Sequence, residues 1–202
     1  MQDAIRIIAG LGNPGPRYAD TRHNAGFMLA DAVAEQFGAG PWKAWRGLGD
    51  YTRISHAGRE CWLVKPMTFM NDSGRMVRAF SDYYGIKPAE ILVCYDDLSL
   101  DLGAVRIRQS GSGGGHQGME NVVAATGTAA IPRLRLGIGP QPVITRGGGA
   151  VRMRSEDFVL APFPKAARPE LETMISNARD AAALAVGEGV EAAMNRYNTR
   201  AC

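Results

Sequence analysis

One histidine of this chain, His23, lies in the segment GLGNPGPRYADTRHNAGF, between a glycine- and proline-rich loop and a stretch with helical spacing of apolar residues. Pro14 and Pro16 exclude regular structure from the loop. Thr21 is a suitable N-cap for a helix over residues 21–38. The partial positive charge at a helix N-terminus disfavours a second proton on the ring. A neutral imidazole can accept a proton, so His23 is a candidate general base.

A carboxylate and three carboxamides also lie next to predicted strand ends, helix starts or loops. The apolar run over residues 91–95 predicts a buried parallel strand, and Asp96 follows it. Asn13 follows the first strand, Asn71 precedes a predicted helix, and Gln117 follows a glycine-rich loop. If the first strand runs parallel to 91–95, Asp96 and the loop of Asn13 open onto one edge of the sheet. Ligands of α/β proteins usually bind at that edge.

These residue types suit hydrolysis. An imidazole whose far nitrogen is held by a carboxylate can take a proton from water. The chain has no G-x-S-x-G motif and no cysteine beside a histidine, so water is the expected nucleophile. Carboxamides carry both a donor and an acceptor, which suits a peptide-like carbonyl and amide. Each residue alone has a simpler reading, since His23 could be structural and Asn71 could cap its helix.

Arginine carries most of the positive charge of the chain, whose formal net charge is +3. Arg106 and Arg108 alternate with apolar residues, so both guanidinium groups should share one face of a strand. Arg133 and Arg135 repeat the pattern in the predicted strand RLRLGIG. Guanidinium groups bind phosphate well. Residues 140–156 are rich in glycine and arginine without hydrophobic periodicity, and we expect a mobile basic loop there.

Length and composition predict one globular domain, and the order of predicted strands and helices makes it an α/β domain. The 202 residues suffice for one well-buried domain and are few for two. No apolar run reaches membrane-spanning length, and the first residues enter a strand without a signal-like stretch, so we expect a cytoplasmic protein. Cys61, Cys94 and Cys202 lack C-x-x-C spacing and fit a reducing compartment. The three histidines are widely separated and predict neither a zinc site nor another cofactor.

Two other functions fit parts of the sequence. Gly10, Gly12 and Gly15 match G-x-G-x-x-G, but Pro16 and several more residues separate the third glycine from the helix, which disfavours a dinucleotide site. A divalent metal held by Asp96, Asp97 and Asp101 could support phosphoester hydrolysis. The residues taken together favour a metal-free hydrolase that acts on an acyl or peptidyl group carried by a nucleic acid.

Three long motifs carry a family resemblance. The segments GLGNPGPRYADTRHNAGF and KPMTFMNDSG, and the run from YDDL through GSGGGHQG, resemble the bacterial peptidyl-tRNA hydrolase family. The resemblance extends over essentially the whole chain. It implies a single domain over residues 1–202, a twisted mixed and mostly parallel sheet flanked by helices, and a monomer with no obligate protein partner, cofactor or membrane.

The resemblance also implies an activity, namely hydrolysis of the ester between an N-blocked peptide and the 3′ ribose of tRNA, which recycles stalled peptidyl-tRNA. It makes His23 the base, Asp96 its orienting carboxylate and Asn13 the residue that helps to distinguish N-blocked from free aminoacyl groups. Asn71 would hold the peptide. The residues implied near the acceptor end or the tRNA phosphates are Tyr18, Phe69, Met70, Arg106, Arg108 and Arg135.

The chain departs from the family pattern at one position of the glycine loop. Gln117 stands where the family usually has asparagine, so its contact with tRNA or water should shift. A non-catalytic RNA-binding member of the same fold is the main alternative. The presence of His23, Asp96, Asn13 and Asn71 together favours the enzyme.

Overall fold

A computed structural model describes residues 4–146 and 149–198, so Cys202 lies outside the described residues. Its helices are α1 (Ala25–Gln36), α2 (Ser73–Tyr83), α3 (Gln117–Thr126), α4 (Ser155–Val159), α5 (Arg168–Glu188) and α6 (Val190–Tyr197). Its strands are β1 (Ile7–Gly10), β2 (Lys43–Trp45), β3 (Gly49–His56), β4 (Arg59–Pro66), β5 (Ile91–Asp101), β6 (Val105–Arg108), β7 (Arg133–Gly139), β8 (Val143–Arg146) and β9 (Gly149–Arg152).

Seven of the strands form one mixed sheet in the order β2-β3-β4-β1-β5-β7-β6. The inner strands β4, β1, β5 and β7 are parallel to one another, while β2, β3 and β6 join through antiparallel pairs. The predicted class, an α/β domain with a mostly parallel central sheet, is confirmed. Strands β8 and β9 form a separate antiparallel ribbon.

Apolar side chains cover both faces of the sheet. Ile8 of β1 packs on the side of α1, α5 and α6, whereas Ile7 and Ala9 face α2 and α3. Burial on both faces explains why β1 and the first half of β5 are continuous apolar runs. Burial of each large aliphatic side chain stabilises the fold by about 2 kcal/mol. Among the described residues, no helix is long and apolar enough to cross a membrane.

Two glycines let the start of α1 lie directly against the strand ends. A Cβ atom added to Gly10 would meet the carbonyl oxygen of Gly26 at 2.2 Å, and one added to Gly26 would meet that of Cys94 at 2.4 Å. Only glycine permits such a backbone approach. The turn that carries His23 is thereby held beside the carboxyl end of β1 and the middle of β5.

Several predicted boundaries were wrong. Thr21 caps a 3-10 turn (Arg22–Asn24) without a side-chain cap bond, and α1 begins only at Ala25. His23 therefore lies in this turn, ahead of the α-helix, and the helix-dipole argument for its neutrality is weakened. Strand β5 continues to Asp101, so Asp96 lies within a strand instead of following one.

The glycine-rich stretches were the least predictable. Strand β2 lies in a glycine-rich stretch that was predicted to be a loop. The sequence did not reveal this strand because its pairing with β3 is a tertiary contact. Residues 140–156, predicted as a loop, contain β8, β9 and the start of α4. Residues 147–148 lie outside the described part, and the mobility of the segment stays a prediction.

Candidate active site

A buried carboxylate holds the imidazole of His23. Nδ1 of His23 lies 2.9 Å from Oδ1 and 3.0 Å from Oδ2 of Asp96, whose residue is only 2% exposed. Burial alone would raise the pKa of Asp96. Electrostatic attraction to His116 and His23 and the hydrogen bonds that they donate outweigh this effect and hold the pKa of Asp96 well below its usual value. Asp96 is therefore a carboxylate, and the proton of the neutral His23 ring lies on Nδ1.

His116 is a second imidazole on the same carboxylate, and sequence reasoning missed it. Its Nε2 lies 3.0 Å from Oδ1 of Asp96, and its Nδ1 accepts a hydrogen bond of 3.1 Å from the backbone N–H of Met119. The ring also contacts those of His23 and Tyr95. The available signal was its position, because His116 ends the glycine loop and caps α3. Its side chain thus joins that helix to the carboxylate of Asp96.

The pattern of hydrogen bonds argues against a metal ion at this cluster. One ligand atom each from His23, Asp96 and His116 lie within 4.8 Å of one another. Because Met119 donates to Nδ1 of His116, the neutral ring carries its proton on Nε2, the atom that would have to coordinate the ion. The alternative set with Asp97 is no better, since Asp97 already accepts from Arg135 and Ser99.

Asn13 is fixed from two sides. Its backbone N–H donates to Oδ1 of Asn24 at 2.8 Å, and Nδ2 of Asn24 donates to its carbonyl oxygen at 3.0 Å. Its own Oδ1 accepts the backbone N–H of Met70 at 2.8 Å. The side-chain oxygen is thus engaged, which leaves the amide nitrogen as the end that can face a ligand. Asn24, directly after His23, is a further supporting residue that sequence reasoning missed.

These side chains meet in one open cleft of about 540 Å³. The predicted residues that line it are Asn13, Tyr18, His23, Phe69, Met70, Asn71, Asp96 and Gln117. Asn71 and Gln117 are exposed, and Phe69, 62% exposed, stands at the rim. The wall that sequence reasoning missed consists of Leu98, Ser99 and four residues at α4, which are Ser155, Glu156, Val159 and Leu160. A cleft of this size can hold a drug-sized ligand.

The predicted basic residues lie beside the cleft and do not line it. The pairing of β6 with β7 sets Arg106 opposite Arg135 and Arg108 opposite Arg133, so the four side chains share one face. Arg108 is exposed. Arg135 donates to Oδ2 of Asp97 at 2.5 Å and to Ser99, two residues of the cleft wall. It therefore connects the basic face with the cleft.

Arg133 differs from the other three. It is 2% exposed and donates to the backbone carbonyl oxygens of Ser112 at 2.6 Å, Ala129 at 3.0 Å and Ile131 at 3.1 Å. The sequence pattern placed Arg133 with Arg135 on one face, and the register agrees. Its side chain, however, lies under the glycine loop that carries His116. Arg133 supports that loop and is not part of a surface for phosphates.

A carboxylate-held imidazole in an open cleft, at the edge where the parallel strands end, has the geometry of a general base. The fold and the site together define a hydrolytic enzyme built on an α/β sheet.

Comparison of the chain with known proteins identifies its family. A family model described as peptidyl-tRNA hydrolase matches residues 7–202. The peptidyl-tRNA hydrolase of Elusimicrobium minutum is 49% identical over 194 residues, which is 96% of this chain and 99% of that protein. That of Symbiobacterium thermophilum is 45% identical over 196 residues, with the same coverage. The crystal structure of peptidyl-tRNA hydrolase from Acinetobacter baumannii gives a TM-score of 0.87 at 34% identity, over 98% of this chain and 97% of that one. The chain belongs to the peptidyl-tRNA hydrolase family.

Proposed function

We propose that this protein hydrolyses the ester between an N-blocked peptide and the 3′ ribose of tRNA, with water activated by His23, and so recycles stalled peptidyl-tRNA. It acts as a cytoplasmic monomer and needs no metal ion. Membership of the peptidyl-tRNA hydrolase family supports the assignment of peptidyl-tRNA as the substrate. The observation that carries the mechanism is the contact of His23 Nδ1 with both oxygens of Asp96, which leaves Nε2 as the proton-accepting atom.

The reaction balances with these groups alone. A water molecule between Nε2 of His23 and the ester carbonyl attacks the carbonyl carbon while Nε2 takes its proton. The imidazolium that forms is stabilised by the ionised Asp96, which stays deprotonated throughout. The tetrahedral intermediate then expels the 3′ oxygen of the ribose, and the imidazolium returns the proton to it. The products are a peptide with a free carboxyl group and a tRNA with a free 3′ hydroxyl.

The carboxamides bind the peptide side of the substrate. With its oxygen engaged by Met70, Asn13 presents its Nδ2 to a carbonyl of an N-blocked residue. Asn71 and Gln117 line the same cleft, and each offers both a donor and an acceptor to the peptide backbone. N-blocked substrates are preferred because a free ammonium group would face the donor Nδ2 of Asn13.

The tRNA side of the substrate lies toward β6 and β7. Arg106 and Arg108 contact phosphates of the acceptor stem, and Arg135 does so at the edge of the cleft. Tyr18, Phe69 and Met70 line the cleft near the 3′ end, where an exposed aromatic ring such as Phe69 can stack on a base. This arrangement puts the ester between a basic face and the carboxamides.

A non-catalytic RNA-binding function is the alternative. Binding alone requires the basic face but not a buried carboxylate with two imidazoles. Burial of a carboxylate such as Asp96 costs free energy that its hydrogen bonds must offset, and an RNA-binding surface has no need of such a group. The His23–Asp96 geometry therefore favours catalysis.

The experiment that tests the proposal measures turnover and tRNA binding in His23→Ala. We expect turnover of N-acetyl-aminoacyl-tRNA to be lost while tRNA affinity stays near that of the wild type. His56→Ala is the matched control, because His56 packs against Phe37 and does not line the cleft. Turnover close to wild type in His23→Ala would exclude His23 as the base. Loss of wild-type turnover on treatment with a chelator would instead favour a metal-dependent reaction.

A further inference from the structure

Arg22, the residue before His23, is surrounded by the end of α4 and the residues that follow it. Its Nη1 donates to three backbone carbonyl oxygens, at 3.3 Å from Phe158, 3.1 Å from Ala161 and 3.0 Å from Pro162. The guanidinium plane lies over the ring of Phe158, 4.2 Å from its centroid, and 5.5 Å from that of Phe163. Burial lowers the pKa of Arg22. We call residues 158–163 the clamp segment.

The backbone of the same turn adds further bonds to the clamp segment. The N–H of Arg22 donates to Ala161 at 3.2 Å, and the N–H of Phe163 donates to the carbonyl oxygen of Asp20 at 3.2 Å. Thr21 and Pro162 form an isolated antiparallel bridge. The turn of the catalytic base and the clamp segment are thus joined by backbone and side chain alike.

This attachment matters because α4 is short and forms one wall of the cleft. A helix of five residues has little stability of its own, and the last carbonyl groups of a helix need partners from outside it. Arg22 supplies donors to the carbonyl of Phe158 and to two carbonyls just beyond the helix. Val159 and Leu160 line the cleft between these anchored residues. The guanidinium group of Arg22, together with the backbone hydrogen bonds of the same turn, therefore sets the position of that wall relative to His23.

We propose that Arg22 is a positioning residue that sets substrate affinity by holding the α4 wall against the turn of His23. This inference rests on the proposed function, since the wall is taken to contact the peptidyl-tRNA ester. Arg22 itself does not line the cleft. Its planar group makes several hydrogen bonds while it stacks on an aromatic ring, and a lysine cannot reproduce this combination.

A residue that only braced the fold would behave differently. Loss of a purely structural residue lowers the free energy of unfolding of the whole domain and changes kcat and KM together. Loss of the wall alone removes contacts with bound substrate, but it leaves the His23–Asp96 pair intact. It should therefore raise KM and leave kcat largely unchanged.

The test compares Arg22→Gln, Arg22→Lys and Phe163→Leu with the wild type, in the full chain. KM and kcat are measured with N-acetyl-aminoacyl-tRNA, and hydrogen exchange is followed by mass spectrometry. We expect KM to rise about tenfold in Arg22→Gln and about threefold in Arg22→Lys, with kcat within about threefold, as loss of charged hydrogen bonds at one wall predicts. Exchange should accelerate in peptides that contain the clamp segment and stay unchanged in those of β1 and β5.

Arg154→Gln is the matched control, because Arg154 lies just before α4 and pairs with Asp157 in solvent. It should leave KM and exchange at wild-type values. Phe163→Leu should raise KM in the same direction as Arg22→Gln, since it weakens the same attachment from the other side. An unchanged KM in Arg22→Gln and Phe163→Leu would overturn the proposal. A kcat that falls as much as KM rises, together with faster hydrogen exchange throughout the sheet, would overturn it as well. Turnover in His23→Ala would contradict the proposed function, but it would leave the exchange result for Arg22 intact.

Discussion

Replacement of Asp96 by asparagine is the sharpest perturbation of the site. The amide has nearly the shape of the carboxylate but only one acceptor oxygen, whereas His23 and His116 both direct N–H groups at that carboxylate. In Asp96→Asn, Nδ1 of His23 faces one oxygen at about 2.9 Å and one NH₂ group at about 3.0 Å, if the side chains keep their places. The tautomer with its proton on Nδ1 is then no longer favoured, and the negative charge that stabilises the imidazolium is lost.

The size of the effect follows from that charge. Two unit charges about 4 Å apart interact by about 4 kcal/mol at an effective dielectric constant of about 20. Since about 1.4 kcal/mol corresponds to a factor of ten in rate, we expect kcat of Asp96→Asn to fall about 10³-fold. The affinity for tRNA should change little, because Asp96 is buried and the proposed phosphate contacts are made by Arg106, Arg108 and Arg135.

The assay is single-turnover hydrolysis of N-acetyl-aminoacyl-tRNA at saturating enzyme, which isolates the chemical step. Asp97→Asn is the neighbouring control. Asp97 pairs with Arg135 and does not contact His23, so its variant should lose less than about tenfold, through the wall of the cleft alone. A rate for Asp96→Asn within tenfold of wild type, or equal losses in the two variants, would refute the assignment of Asp96 as the partner of the base.

Three further predictions concern binding and stability. Charge reversal at Arg106 and Arg108 should weaken tRNA binding and flatten its dependence on salt, measured by titration at several salt concentrations, and an unchanged slope would remove both from the tRNA surface. Gly26→Ala should lower the free energy of unfolding in urea by about 3 kcal/mol through overpacking, whereas Gly40→Ala, whose Cβ meets nothing within 4 Å, should not. Because the folded-state pKa of Asp96 is depressed, its contribution to stability is present above its unfolded pKa and is lost as pH falls through the folded value. The stability difference between wild type and Asp96→Asn should therefore narrow below about pH 4, and a constant difference would show that the carboxylate is not held in its ionised form.

The sequence predicted most of the sheet because burial on both faces leaves a continuous apolar signal, as in β1 and β5. It predicted the cleft residues Asn13, which follows β1, and Asn71 and Gln117, which lie at helix starts, since chain direction alone brings such positions to one edge. Asp96 lines the same cleft but lies within β5. It did not predict His116 on Asp96, because that contact depends on how the glycine loop folds over β7. Nor did it separate Arg133 from Arg135, because alternation gives the face of a strand and not what covers it.

The same limit applies to Arg22. Nothing in its local pattern distinguishes it from the arginines expected to bind phosphate, and its partners lie about 140 positions along the chain. The α4 wall was hidden for the same reason, since a five-residue helix behind a glycine- and arginine-rich stretch has too short a periodic pattern to recognise. Long-range contacts of single side chains are the part of a site that composition and spacing do not encode.

Under the proposed function, the arrangement of charge explains how one site binds both the tRNA and the peptide part of the substrate. On the β6–β7 side, Arg108 is exposed, whereas Arg135 pairs with Asp97 at the cleft and Arg133 is enclosed beneath the glycine loop. The exposed positive charge of this face therefore lies outside the cleft. Beyond it, the carboxamides of Asn13 and Asn71 carry no net charge. Under the proposed function, a polyanion is attracted up to the cleft but not into it, and the uncharged ester bonded to that polyanion is the group that reaches His23.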